Sequence, residues 1–170
     1  MIRRAALALL LAGCEASLSP CPGTPQGAFL FALEQLPAAG TACGFAGPER
    51  PPAFTGVVSW LPASEAALCV RRPLAAPMLG IHAGDAVALS SDQTAVQIAD
   101  CSCPLEVQET VTGQIRRDGA GAAVGFDGEV VDTLTLSSDP GCAAPGAVCP
   151  TLLGADARPS CELRYALTGE

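Results

Sequence analysis

An all-β domain stapled by disulfides, folded as an antiparallel β-sandwich or a small barrel, is what this sequence predicts, and three observations carry that reading. Apolar and polar residues alternate with a period of two through long stretches, the pattern of strands with one dry and one wet face. Eighteen Gly and 15 Pro punctuate the chain, so turns come often and long helices have little room. Nine Cys accompany a thin core: of the 49% hydrophobic residues, 31 are Ala, and only 38 large apolar side chains fall in the 157 residues after position 13. Cross-links are the usual remedy when burial is short.

Residues 14 to 27 combine small, polar and Pro/Gly residues with little to bury and read as a flexible tether. Residues 28 to 170 read as one domain, because no composition shift, long linker or repeat of fixed period divides them. Ala28 to Leu36 has good helix formers and stops at Pro37, and Ala63 to Leu68 follows Pro62, but each is short enough to be strand or turn instead. Val57, Val58 and Trp60 mark a strand over Gly56 to Leu61, and Leu68 to Val70 mark another. Val87 and Leu89 are separated from Val96 and Ile98 by Ser90 to Thr94, a hairpin pattern.

The strongest signal lies between residues 105 and 136. Leu105, Val107, Val111, Gly113 and Ile115 alternate with polar residues, the turn-rich stretch Arg117 to Gly121 follows, and then Val124, Phe126, Gly128, Val130, Leu134 and Leu136 alternate in the same way. Val131 is the exception on the polar side. Two such strands joined by a short loop make a β-hairpin. Leu163, Tyr165 and Leu167 form a closing strand pinned by Cys161, and Trp60 and Tyr165, the sole Trp and Tyr, are expected in the core.

The N-terminus speaks to location. Met1 to Arg4 is a short positive region, Ala5 to Leu11 is an apolar run of seven, and Ala12-Gly13-Cys14 ends it, which matches the three-part plan of an export signal and is too short to span a bilayer. Leu11-Ala12-Gly13-Cys14 resembles the lipobox of bacterial lipoproteins, with every position of that motif filled. The resemblance covers the first 14 residues. It implies that residues 1–13 are a signal peptide, that Cys14 carries a diacylglyceryl thioether, and that two or three acyl chains hold the protein to a membrane of the cell envelope. Glu15 stands where Asp marks inner-membrane retention in the best-known lipoproteins, which points to the outer membrane of a Gram-negative bacterium. The alternative is an ordinary cleaved signal with Cys14 among the disulfides. Arg3-Arg4 reads as simple charge in the signal rather than a twin-arginine address.

Setting Cys14 aside leaves Cys21, Cys43, Cys69, Cys101, Cys103, Cys142, Cys149 and Cys161, an even eight, as an oxidising compartment favours. Cys101-Ser-Cys103 has a spacing at which paired thiolates chelate Cu(I) or exchange disulfides. In an extended chain, however, the two sulfurs are too far apart for an easy mutual bond, so each reaches a different neighbouring strand. With one His, His82, and one Met after the signal, Met78, no soft-metal shell is completed, and structural disulfides are the preferred reading. Spacing leaves the connectivity open, although Cys142 and Cys149 bracket a loop that can close locally.

Charge excludes some partners. All nine basic residues are Arg, against 17 Asp and Glu, and loss of Arg3 and Arg4 leaves a net charge of about −10 that repels nucleic acid and anionic lipid. No cofactor is expected, since no phosphate loop, dinucleotide fingerprint or calcium loop is present. His82 and Asp85 offer a His/Asp pair for one of the serines, but no Gly-x-Ser-x-Gly elbow presents such a serine, and a turn His beside a turn Asp is the plainer reading.

Glu109 and Asp132 each occupy the otherwise apolar face of their strand. A register pairing positions that sum to 241 sets them face to face, where they would share a proton, bind a hard cation such as Ca²⁺ or recruit an Arg. A register summing to 239 instead puts Glu109 opposite Val130 and Phe126 across from Gly113. The expectation is an envelope lipoprotein with an accessory binding or structural role toward an envelope protein or extracellular ligand. The alternatives are a small hydrolase or cation-dependent enzyme using Glu109 and Asp132 or His82, and copper handling through Cys101 and Cys103.

Overall fold

The structure, a computed structural model, describes residues 21–37, 43, 51–70, 76–96, 104–136 and 160–170. They form nine strands: β1 (Thr24–Gln35), β2 (Ala53–Trp60), β3 (Glu65–Val70), β4 (Met78–Ala83), β5 (Ala86–Ser90), β6 (Thr94–Val96), β7 (Leu105–Arg117), β8 (Ala123–Leu136) and β9 (Ser160–Gly169). All pairings are antiparallel, in the order β5-β4-β3-β2-β1-β9-β8-β7-β6, and β5 also pairs with β7. That last pairing closes the sheet, so the fold is the small barrel rather than the sandwich, with eight staves and β6 as an extra strand.

β5 and β6 do not form a hairpin with each other. Both lie on one edge of β7, with Ala86↔Gln114 to Ser90↔Thr110 followed by Thr94↔Val107 to Val96↔Leu105. Ser91 holds the chain to β7 across the break: its N–H donates to the Glu109 carbonyl (2.8 Å), and its Oγ accepts from the Glu109 N–H (3.0 Å). Ser90 to Thr94 is therefore an irregularity along one stave, not a turn, and it shifts the inward-facing positions from odd to even numbers.

The stretch 28–36, with its helix formers, lies in β1 up to Gln35, and β1 begins at Thr24, inside the segment whose composition reads as tether. Propensity yields to context here, since Phe29 and Phe31 are buried while Leu30 between them is 57% exposed, a period of two that only a strand satisfies. Ala63 and Ser64, at φ 61° and 63°, make the tight turn between β2 and β3, so no helix starts after Pro62 beyond a single 3-10 turn. The long hairpin of β7 and β8 holds the register that sums to 241 from Leu105↔Leu136 to Arg116↔Gly125. A shift at Arg116/Arg117 then changes the phase, which turns Val124 outward (48% exposed) and seats Ala123 against the core instead.

Alternate residues of every stave fill the barrel. Four of the five Phe form one cluster: Phe31 lies 5.5 Å from Phe29, 5.2 Å from Phe54 and 5.4 Å from Phe126, the last edge to face. Glycine makes room for it. A Cβ on Gly113 would lie 2.4 Å from the tip of the Phe126 ring and 2.7 Å from the Asp127 carbonyl oxygen, and one on Gly169 would lie 3.1 Å from each of Phe29, Phe31 and Phe126. Phe126 thus covers Gly113 diagonally, although Gly113 pairs with Gly128.

Two disulfides tie distant parts of the chain together. Cys21–Cys69 spans 48 residues and Cys43–Cys161 spans 118. In the chain-entropy picture either bridge alone would be worth about 4–5 kcal/mol. Cys14, Cys101, Cys103, Cys142 and Cys149 lie outside the described residues.

The barrel has unlike ends. The connections β2–β3, β4–β5 and β7–β8 are tight turns at one end. The connections 36–52, 71–77, 97–104 and 137–159 all leave the other.

Because Gly113 faces a ring tip and a backbone oxygen, Gly113→Ala is expected to lower stability by about 2 kcal/mol. Gly119→Ala, whose new Cβ would meet nothing within 4 Å, is expected to stay within about 0.5 kcal/mol of the parent. Urea denaturation of the two variants checks the contrast.

Candidate functional site

The register that closes the β7–β8 hairpin brings together one of the sequence-predicted constellations. Glu109 pairs directly with Asp132, and both sit at positions whose neighbours along the strand, Val107, Val111, Val130 and Leu134, are buried inside the barrel. Asp132 is 0% exposed and Glu109 is half-buried. On the other side Asp132 pairs with Leu163, and the next inward residue of β9 is the buried Tyr165. Directly opposed side chains have Cβ atoms about 5 Å apart, so the two acids are neighbours across the hairpin.

The pair lies in the half of the barrel nearer the long connections, four residues from the β7 start and four from the β8 end. Glu109, Asp132 and Tyr165 are each engaged with other groups of the protein. Among the described residues, no three His, Cys, Asp or Glu side chains gather as a metal centre would require. Two carboxylates supply part of a calcium shell, which takes six to eight oxygens, and would need carbonyls or water for the rest.

His82 is placed elsewhere. It lies on β4 near the tight-turn end, and its ring stacks on Trp60 with centroids 4.1 Å apart and planes 3° from parallel. Its Nδ1 donates to the Gly84 carbonyl oxygen at 3.2 Å. Asp85 is directed to a different partner: Arg117 Nε donates to Asp85 Oδ1 at 2.7 Å. A His/Asp relay is therefore not what this turn assembles. The sole Trp and the sole His make instead a flat stack in which Trp60 packs against the core.

Sequence reasoning missed the clasp around Arg117. Besides Asp85, its guanidinium donates to Gln26 Oε1 and to the Gly121 carbonyl, both at 3.1 Å. One side chain thereby ties the β4–β5 turn, the start of β1 and the β7–β8 turn together, while Asp118 Oδ1 accepts from the N–H groups of Ala120 and Ala122. No local pattern signals such a contact, because Gln26 and Arg117 are 91 positions apart.

Outward faces differ around the barrel. On β7, β8 and β9 they carry Glu106, Arg116, Asp127, Glu129, Glu162 and Arg164, with ion pairs Arg116–Asp127 (2.7 Å) and Arg164–Glu129. These charges make the outer wall of β7, β8 and β9 polar along its strands. No protein family, characterised protein or solved structure matches the chain.

His82→Ala strips the imidazole from one face of Trp60, so the indole emission maximum is expected to move to longer wavelength than in the parent, as fluorescence spectra of the two folded proteins at neutral pH check.

Proposed function

We propose that this protein is a lipoprotein of the cell envelope: a β-barrel domain held by acyl chains on Cys14 and serving an accessory binding or structural role. The observation that carries the reading is the filled lipobox Leu11-Ala12-Gly13-Cys14 behind a short basic and apolar leader. The fold supports it in two ways. Cys21–Cys69 and Cys43–Cys161 belong in an oxidising compartment, and a barrel with charged outward faces is one to be tethered to a membrane rather than inserted in it. The outer membrane of a Gram-negative cell, as Glu15 implies, is the proposed location.

Binding belongs to the end of the barrel that carries the four long connections. The opposite end is occupied by tight turns, the Arg117 clasp and the Trp60–His82 stack. An envelope protein or an extracellular ligand is the partner class, with no nucleic acid.

A second reading rests on one specific observation, the face-to-face register of Glu109 and Asp132 inside the barrel. It makes the protein a cation-dependent binder or small hydrolase, with the two carboxylates taking a hard cation or dividing acid and base roles.

Intact mass of the protein from cell membranes tests the first reading. The expected species begins at Cys14, carries diacylglycerol and acyl mass, and has its other eight Cys oxidised, while Cys14→Ser leaves the membrane fraction. An unprocessed chain with free thiols would overturn it. For the second reading, millimolar Ca²⁺ is expected to raise the melting temperature of the parent but not that of Glu109→Gln or Asp132→Asn. An identical response in all three retires the carboxylate site.

A further inference from the structure

We infer that the outer wall of β4 and β5 is a membrane-contact surface, by which the anchored barrel lies against the lipid that holds it. The inference rests on the proposed acylation of Cys14. Its independent support is an uncharged, apolar wall beside the point where the tether is pinned.

Leu79 and Ile81 face outward on β4 and are 51% and 63% exposed. The neighbouring outward positions Ala83, Ala86 and Ala88 are exposed and uncharged. Glu65, across from Ile81, marks the border of the patch, and Ala67, across from Leu79, is fully buried. Two large aliphatic side chains on one exposed strand, framed by alanines, form a wall suited to the boundary between headgroups and acyl chains, and to neutral rather than anionic lipid.

The wall diametrically across the barrel is different. β9 is four staves from β4 in either direction, and it carries Glu162 and Arg164, the latter paired to Glu129 of β8. The outer walls of β4 and β9 thus differ in polarity, with Leu30 of β1, 57% exposed, an aliphatic on the staves between them.

The covalent path to the proposed anchor starts on this side of the barrel. Cys69 faces outward on β3, two positions along the strand from Ala67, the cross-strand partner of Leu79. Its disulfide holds Cys21 against this side, with Cys21 Sγ 3.7 Å from the Val57 carbonyl oxygen. From Cys14 to Cys21 the backbone can reach at most ~25 Å. The acyl chains are therefore leashed within about that distance of a point next to Leu79. Two side chains would not hold a free protein to a bilayer, but on so short a leash their effective concentration at the surface is on the order of millimolar, and weak contacts become populated.

The test uses the full-length acylated protein purified from membranes and reconstituted into vesicles of phosphatidylcholine brominated near the top of its acyl chains. Indoles are added by Ile81→Trp on the proposed wall and by Thr168→Trp, an exposed outward position on β9, with Leu79→Trp as a second reporter on the wall. Relative to vesicles without bromine, the indole at 81 or 79 is expected to lose emission roughly two-fold, as a group lying at the headgroup boundary would, while the one at 168 keeps its emission. Equal quenching at 81, 79 and 168, or none at any of them in protein that stays with the vesicles, overturns the proposal and leaves the anchor intact. Emission at 81 and 79 that shifts with protein concentration and ignores bromine also overturns it, because a second copy then covers the wall. Protein that has no acyl mass and does not float with the vesicles overturns the anchor and the proposal together.

Discussion

Pairing of β5 with β7 is the constraint from which the rest of this molecule follows. An open sheet of the same strands would leave two unpaired edges and one broad apolar face to cover. Closure pairs the edge of β5 with β7 and turns the apolar face into an interior of fixed and small volume, filled by every second residue of eight staves. That geometry explains how a chain with few large apolar residues and many alanines folds at all. Phe29, Phe31, Phe54 and Phe126 fill the centre because Gly113 and Gly169 leave space for their rings.

Closure also sorts the functions of the two ends. In a barrel whose staves run up and down in sequence order, alternate connections share an end, and here the tight ones all fall together. The Arg117 clasp joins three segments at that end. Cys43–Cys161 acts at the other, linking the long β1–β2 connection to the start of β9. Cys21–Cys69 acts on the side wall and fastens the residues that lead into β1 to β3. Each device restrains a place that strand pairing alone leaves free.

The carboxylate pair shows how a register can create chemistry within a core. Burial of a charge is costly unless the group is protonated, hydrogen-bonded or paired, so an Asp that is fully buried across from a Glu has to be compensated within the barrel. Both acids have interactions with the rest of the chain, which gives them a structural role whatever else they do. Tyr165 lies on the same inward face, one step along β9 from the partner of Asp132.

By itself the sequence determined what depends on neighbours along the chain. The period of two in Leu105 to Leu136 and in Leu163 to Leu167 identified strands and their buried faces, and the uneven placement of Glu109 and Asp132 marked them before any pairing was known. The lipobox-like pattern Leu11-Ala12-Gly13-Cys14, on which the proposed anchor rests, is likewise local. Tertiary structure alone decided what depends on pairing between distant residues. It chose barrel over sandwich through β5 and β7, and it chose the 241 register over its rival. It made Ser90 to Thr94 a break in a stave, and gave Cys21 to Cys69 and Asp85 to Arg117. Alternation tells which side of a strand is dry but not which strand lies beside it. Only the packing of the whole interior, where one arrangement seats the Phe rings over the glycines, separates those choices.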